Sequence, residues 1–254
     1  MIIRSILAFV FSLAFLGAQA QQLPEPDTLK TSGGPFIIQP VSHGTLVLKY
    51  KAKHIYVDPT GGAEAFASIP KPDLILITDI HGDHLDTATL AALDTKGIKM
   101  VVPRAVAERL PEQFKQQLVV LDNDGQSMQQ GITLKAMPMY NLPDTADARH
   151  PKGRGNGYLL EMGGKRVYIS GDTEGIPEMR SLKNIDVAFI SMNLPYTMDV
   201  DQAADAVLEF KPKVIYPYHY RGQNGLSDVE KFKQLVSSKN KDIEVRLKDW
   251  YPAQ

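Results

Sequence analysis

Four potential metal ligands fall within the segment Asp79-Ile80-His81-Gly82-Asp83-His84, directly behind the apolar run Leu74-Ile75-Leu76-Ile77. Neutral imidazole nitrogen and carboxylate oxygen are donors that Zn²⁺, Mn²⁺ and Fe accept. A strand that ends in such a loop can aim alternate side chains at one point, and Gly82 permits a tight turn there. Two further apolar runs end in the same way. Val167-Tyr168-Ile169-Ser170-Gly171-Asp172 closes on a carboxylate, and Val214-Ile215-Tyr216-Pro217-Tyr218-His219 closes on an imidazole. An Asp behind a strand is commonly a cap or turn residue, so each ending is weak alone. The three together point to a site for a divalent metal, which can lower the pKa of bound water toward about 7.

Composition narrows the donor set. The 254 residues include no cysteine and only six histidines. Disulfides, thiolate nucleophiles, Fe–S clusters and Cys-type zinc sites are excluded, so a metal must be held by His and carboxylate. With 28 Lys+Arg against 29 Asp+Glu the formal net charge is −1. Such a chain has no field for gripping nucleic acid or an acidic membrane surface. No Gly-x-Ser-x-Gly elbow is present, which sets a Ser-type hydrolase aside.

The N-terminus reads as a targeting segment. Arg4 is the only charge before Glu25, and the apolar stretch Ile6 to Leu16 leads to Ala18-Gln19-Ala20. This is the pattern of a secretory signal peptide over residues 1–20, too short for a membrane span of about 20 apolar residues. Cleavage after Ala20 would leave a mature protein without stable membrane association. A cysteine-free exported chain suits the bacterial periplasm, with secretion as the other destination. Residues 21–35, rich in Pro, Gln and Gly, read as a loose lead-in, and residues 36–254 as the folded domain.

The elements that must position the ligands are short. Strand patterns lie at Leu46–Tyr50, His54–Val57, Leu74–Thr78, Met100–Val102, Leu118–Leu121, Ile132–Met137, Gly157–Glu161, Arg166–Ser170, Val187–Ser191 and Val214–Tyr218. Helical patterns lie at Asp86–Asp94, Ala105–Leu110, Val200–Phe210 and Ser227–Ser237. Strands mixed with helices mean an α/β or α+β fold. There is an internal echo: Lys53-His54-Ile55-Tyr56-Val57 precedes Asp73 as Lys165-Arg166-Val167-Tyr168-Ile169 precedes Asp186, at separations from the tyrosine of 17 and 18 residues. If the echo is a duplication, it predicts two similar halves packed sheet to sheet, with a site at their shared edge.

From His43-Gly44-Thr45 and Val57-Asp58-Pro59 to His219, the chain resembles the metallo-β-lactamase superfamily, in particular its lactonase-like and phosphodiesterase-like branches. The resemblance implies a four-layer αββα sandwich holding one or two divalent metal ions, zinc foremost with Mn or Fe as alternatives. The hallmark His-x-His-x-Asp-His is matched by Asp79 to His84, except that Asp79 stands where the first His belongs. By the resemblance Asp172 bridges the metals and His219 is the last imidazole. Asn141 or His150 would fill the place of the third-motif His. Asp83, His84, Asp172 and His219 then make one pocket, and Asp79, His81 and Asn141 or His150 another. Asp83 would orient the nucleophilic water and pass its proton to the leaving group.

The implied function is metal-dependent hydrolysis of an ester, lactone, amide or phosphodiester in a small-molecule substrate. The alternative is a catalytically degenerate relative that binds a metal or a small ligand. His43 and Tyr220 are candidates for the substrate side, and Tyr196 and Tyr218 for donors to an oxyanion. The segment with Arg149, His150, Lys152 and Arg154 reads either as a mobile solvated loop or as a lid carrying a ligand and cations. His54, behind Lys53, is expected at the surface.

Overall fold

Alternating and continuous apolar runs separated by turn residues form two seven-stranded sheets in the computed structural model, which describes residues 23–252. The expected signal peptide lies outside the described residues. The first sheet follows chain order: β1 (Asp27–Thr31), β2 (Gly34–Ser42), β3 (Thr45–Tyr50), β4 (Lys53–Val57), β5 (Leu74–Leu76), β6 (Lys99–Val102) and β7 (Leu118–Val120). Its first three pairings are antiparallel and its last three parallel.

The second sheet contains β8 (Gln126–Gln129), β9 (Ile132–Met139), β10 (Gly155–Met162), β11 (Lys165–Ile169), β12 (Val187–Ser191) and β13 (Val214–Tyr218). The short strands β14 (Arg221–Gly222) and β15 (Gly225–Leu226) form a separate hairpin, and β16 (Glu244–Val245) joins the second sheet beside β13. Here too three antiparallel pairings are followed by three parallel ones. The two sheets therefore repeat one topology.

The period-2 alternation of a strand assigns the layers. On β4, Ile55 and Val57 enter the core shared with Leu134, Tyr158 and Leu160 of the second sheet, whereas Tyr56 points the other way. That outer face is covered by α1 (Thr87–Ala92) and α2 (Arg104–Arg109), which bury Leu90 and Val106. Three helices pack with the second sheet: α3 (Pro177–Arg180), α4 (Val200–Phe210) and α5 (Val229–Lys239), through Met179, Val207 and Phe232. The architecture is the four-layer αββα sandwich. All ten strand patterns and all four helical patterns are present, with ends shifted by a few residues at most.

Two expectations are corrected. The expected loose lead-in over residues 21–35 is ordered from Asp27 on, because β1 pairs with β2 from Asp27↔Ile38 to Thr31↔Gly34 and extends the first sheet. Its anchor lies far away in sequence: the Asp27 carboxylate accepts the hydroxyl of Tyr216 at 2.8 Å and faces Arg246. His54 is buried rather than at the surface. It opens β4, and the carboxylate of Asp73 accepts its backbone N–H at 2.8 Å.

That last contact has a counterpart in the other half. Asp186 accepts the backbone N–H of Arg166 on β11 at 3.0 Å. Lys53 and Lys165 approach the same two carboxylates at 3.0 and 3.7 Å. The echo seen in sequence is thus a structural one, with an Asp clamping the opening of each paired strand. Burial opposes ionisation of both, but the amide hydrogen bonds and neighbouring lysines hold their pKa values below the ordinary carboxylate value. A depressed pKa stabilises the fold above the unfolded value of about 4 and ceases to do so as pH falls through the folded one. Asp73→Ala and Asp186→Ala are each expected to cost about 1–3 kcal/mol at neutral pH, with the difference from wild type narrowing below about pH 4. Thermal unfolding at pH 7 and pH 3 checks this; a difference that does not change with pH removes the electrostatic part of the account.

Candidate metal centre

The ligand-bearing loops all leave the carboxyl ends of strands at one edge where the two sheets meet, the usual place for sites in open α/β sheets. Asp79, His81, Asp83 and His84 follow β5, and His150 lies between β9 and β10. Asp172 follows β11 and His219 follows β13. Two glycines make the approach possible. Gly171 has φ +61°, and a Cβ on Gly44 would lie 2.9 Å from Cδ2 of His219. His43 and His219 have left-handed backbones, with φ of 50° and 47°, and His219 donates its N–H to the His43 carbonyl at 3.1 Å. Such strained backbone persists only where the surroundings over-determine it.

One pocket is formed by His84, His219 and Asp172, all buried. Nε2 of His84 lies 3.2 Å from Nε2 of His219 and 3.3 Å from Asp172 Oδ2, and Asp172 Oδ1 is 3.4 Å from His219 Nε2. The other nitrogens are engaged. His84 Nδ1 faces Asp58 Oδ2 at 2.8 Å, and His219 Nδ1 faces the Asn193 carboxamide at 2.9 Å. Asp58 Oδ2 accepts the Thr78 hydroxyl and faces His84 Nδ1, so with a proton on Nδ1 His84 presents the Nε2 lone pair to the pocket. Asp58 is fixed in turn by the amide and hydroxyl of Thr78, at 2.7 and 2.6 Å.

The second pocket is formed by Asp79, His81 and His150. His81 Nδ1 is 2.8 Å and His150 Nε2 is 3.9 Å from Asp79 Oδ2, and His150 Nε2 is 3.3 Å from Asp172 Oδ2. The open choice between Asn141 and His150 is resolved by placement. Asn141 is turned away from the cluster. Its amide nitrogen donates to Glu174 and to the Tyr196 carbonyl, so its oxygen must face Nδ1 of His150, at 3.0 Å. Asn141 thereby directs the His150 Nε2 lone pair inward, and His150 stands with Asp79 and His81 where the three could hold a metal. Asp172 faces both pockets.

Do these residues fit a metal? Ligands at about 2.0–2.2 Å from one Zn²⁺ stand roughly 3–3.5 Å apart, which is the spacing found in the first pocket. His150 Nε2 and Asp172 Oδ1 are buried without a hydrogen-bond partner, a costly arrangement that a cation relieves. Burial opposes charge on His84, yet Asp172 and Asp58 outweigh it and raise its pKa well above the ordinary imidazole value. Asp172 is likewise held well below the carboxylate range, against burial, by His219 and His84. The pocket is electrostatically built for positive charge, and the donor set fits a divalent ion.

Asp83 differs from the other carboxylates because its side chain is 42% exposed. Its Oδ2 lies 3.2 Å from His43 Nε2 and 3.3 Å from His219 Nε2. His43, on the other side, meets the Tyr251 hydroxyl through Nδ1 at 2.7 Å. His43, expected on the substrate side, stands beside the cluster. Tyr220, expected there too, turns its buried hydroxyl instead to the backbone of Lys248 and Trp250 and supports the C-terminal segment. Tyr218 is also structural, since its hydroxyl accepts the Gly171 N–H at 3.0 Å and sets the turn before Asp172. Tyr196 stays at the rim under Arg149.

The loop over 149–154 is held rather than loose. Lys152 pairs with Glu178 at 2.7 Å, and Arg154 forks onto Asp79 at 3.1 and 2.9 Å. Sequence reading missed Asp58, Asn193 and the partnership of Arg154. For Asp58 a signal existed in the turn after Val57, which parallels Ser170-Gly171-Asp172 after Ile169. Partners of this kind commonly set metal affinity by about 10–100-fold. Asp58→Asn is therefore expected to weaken Zn²⁺ binding by about that factor, read by competition with a chromogenic chelator. Unchanged affinity would refute the role given to Asp58.

Comparison with known proteins places the chain in a family. A family model described as β-lactamase superfamily domain matches residues 54–220. The chain is 32% identical over 203 residues to a UPF0173 metal-dependent hydrolase of Pyrococcus abyssi, covering 76% of this chain and 88% of the relative. A UPF0173 metal-dependent hydrolase of Thermus thermophilus is 30% identical over 186 residues, covering 71% and 81%. A crystal structure from Parabacteroides distasonis is 38% identical with TM-score 0.77, covering 88% of this chain and 98% of that one. Igni18, a metallo hydrolase of Ignicoccus hospitalis, shares the fold at 24% identity and TM-score 0.69, over 84% and 94% of the two chains. With the ligand loops, the duplicated sandwich and these relatives in agreement, the chain belongs to the β-lactamase superfamily and is a metal-dependent hydrolase.

Proposed function

We propose that this hydrolase acts in an exported form on a small molecule, cleaving an ester, lactone, amide or phosphodiester bond by attack of an activated water. Zinc is the metal favoured by the imidazole-rich first pocket, and the extra carboxylate of the second pocket leaves Mn or Fe as alternatives. The bound ion would supply hydroxide at neutral pH and polarise the scissile oxygen. The observation that carries the reading is the position of Asp83, at the open side of the cluster, hydrogen-bonded to His43 and with Oδ2 3.3 Å from His219 Nε2.

Burial opposes ionisation of Asp83, but His219 and His43 hold its pKa well below the ordinary range. It is a carboxylate at working pH, suited to accept a hydrogen bond from the nucleophilic water and hold it in line. A proton taken up there is released readily, which suits transfer to the leaving group. His43, whose ring lies 3.9 Å from that of His219, holds Asp83 through a hydrogen bond at 3.2 Å.

Two guanidiniums flank the opening. Arg149 stacks on Tyr196 and Arg221 on Tyr251, each at 4.3 Å from the ring centroid. Both are exposed, and neither pairs with a carboxylate among the described residues. They sit one residue before His150 and two after His219, so they favour substrates that carry a carboxylate or phosphate. The export reading is supported by Arg4, the apolar stretch and Ala18-Gln19-Ala20.

A panel of esters, lactones, amides and phosphodiesters, in neutral and anionic versions, tests the reading with Zn²⁺, Mn²⁺ and Fe²⁺. Anionic members are expected to turn over faster. Asp83→Asn is expected to lower kcat by about 10²–10⁴-fold with unchanged metal content. Undiminished hydrolysis in this variant overturns the mechanism, and no turnover by the metal-loaded protein on any member leaves a ligand-binding role. For export, N-terminal sequencing of protein from a periplasmic fraction is expected to begin at Gln21; intact chains confined to the cytosol would refute it.

A further inference from the structure

Asp79 is the departure from the family motif, and the structure gives it a partner. Its carboxylate is fully buried, and Arg154 grips both oxygens, Nε to Oδ1 at 3.1 Å and Nη2 to Oδ2 at 2.9 Å. The guanidinium is mostly buried as well, with 18% of the side chain exposed. Oδ2 is also 2.8 Å from His81 Nδ1, so this oxygen is shared between a fixed cation and the pocket. A His in this position would bring a neutral donor. An Asp brings a negative charge, and the Arg that forks onto it restores the balance.

The two pockets therefore differ in kind. In the His84/Asp172/His219 pocket the supporting groups are Asp58 and Asn193, a carboxylate and a carboxamide that strengthen or orient imidazole donors. In the Asp79/His81/His150 pocket the support for the carboxylate donor is itself a cation. A cation bound to a ligand oxygen draws electron density from it and repels an incoming ion.

We infer that Asp79 and Arg154 together replace a neutral ligand, and that the Arg154 guanidinium holds the Asp79/His81/His150 pocket to a weaker divalent-metal affinity than its neighbour, so that the centre loads in two unequal steps. The inference rests on the assignment of these residues to metal binding. It adds that one arginine sets the difference between the steps.

The test is calorimetric titration of chelator-stripped protein with Zn²⁺ and, separately, Mn²⁺. Wild type is expected to show a tight and a weak step. His81→Ala should remove the weak step and leave the tight one. Arg154→Gln keeps a hydrogen bond but removes the charge, and is expected to tighten the weak step by on the order of tenfold or more without moving the tight one. Asp79→Asn, with the guanidinium left in place, should abolish the weak step.

A weak step that is unchanged or loosened in Arg154→Gln overturns the inference, because Arg154 would then only support Asp79 or play no part in the difference. Should Arg154→Gln fail to fold, Asp79→His combined with Arg154→Gln restores a neutral donor and is expected to keep two steps; loss of the weak step in a folded double variant also overturns it. Failure of wild type to bind either ion at all would instead sink the metal assignment itself.

Discussion

The active site is organised around one buried carboxylate shared by three imidazoles. Asp172 Oδ2 is 3.3 Å from both His84 and His150, and Oδ1 is 3.4 Å from His219. Those histidines come from three different loops, so the carboxylate can satisfy them only if the ends of β5, β9, β11 and β13 are brought to one place. An ionised Asp in such a position is costly unless positive charge faces it. The requirement for a cation is therefore built into the fold, at the point where its two halves meet.

What brings the halves together is equally specific. The second sheet reaches across to the end of β5 with hydrogen bonds as well as apolar contacts. Asn156 on β10 donates its N–H to the Thr78 carbonyl at 2.9 Å, and the Tyr158 hydroxyl donates to the Ile77 carbonyl at 2.8 Å. Thr78 in turn donates to Asp58, which holds His84. A continuous path thus runs from the second sheet, through the backbone that precedes the ligand motif, to the ligand itself. The repeated order of antiparallel and parallel pairings places equivalent strand ends beside each other, and the duplicated Asp73 and Asp186 clamps fix where each parallel segment starts.

Much of this was legible in the sequence, for an identifiable reason. Ligands at the ends of apolar strands leave a local signature, and Asp79 to His84, Asp172 and His219 carried it. The period and length of the apolar runs likewise marked β3 to β7 and β9 to β13. The strands β1, β2, β8 and β16 were missed, because their partners rather than their own composition make them strands: β1 has Leu29 as its one apolar residue and depends on Tyr216 and Arg246, 189 and 219 residues away. The same holds at the site. Asp58, Asn193 and Arg154 act on residues 26, 26 and 75 positions distant; the turn after Val57 hints at Asp58, but nothing in the local sequence of Asn193 or Arg154 announces the contact. Tyr220 misled for the converse reason, since proximity to His219 in sequence says nothing about which way the hydroxyl turns.

The long-range partners also explain why the motif tolerates its departure. Replacing an imidazole by a carboxylate in a buried cluster adds a charge that nothing else in the immediate motif offsets. His150 arrives from a loop that also contains Arg154, four residues later, so one segment delivers both a ligand and the countercharge. Asn141, which aligns His150, lies at the start of that same loop and ties it to Glu174 and Tyr196. The pocket that departs from the family pattern is thus assembled almost entirely by one loop and the segment after β5, while the intact pocket draws on strand ends from both sheets. Change in the one is decoupled from the other except through Asp172. A shared carboxylate between a rigid pocket and an adjustable one lets the metal centre vary in a single place without dismantling the fold that holds it.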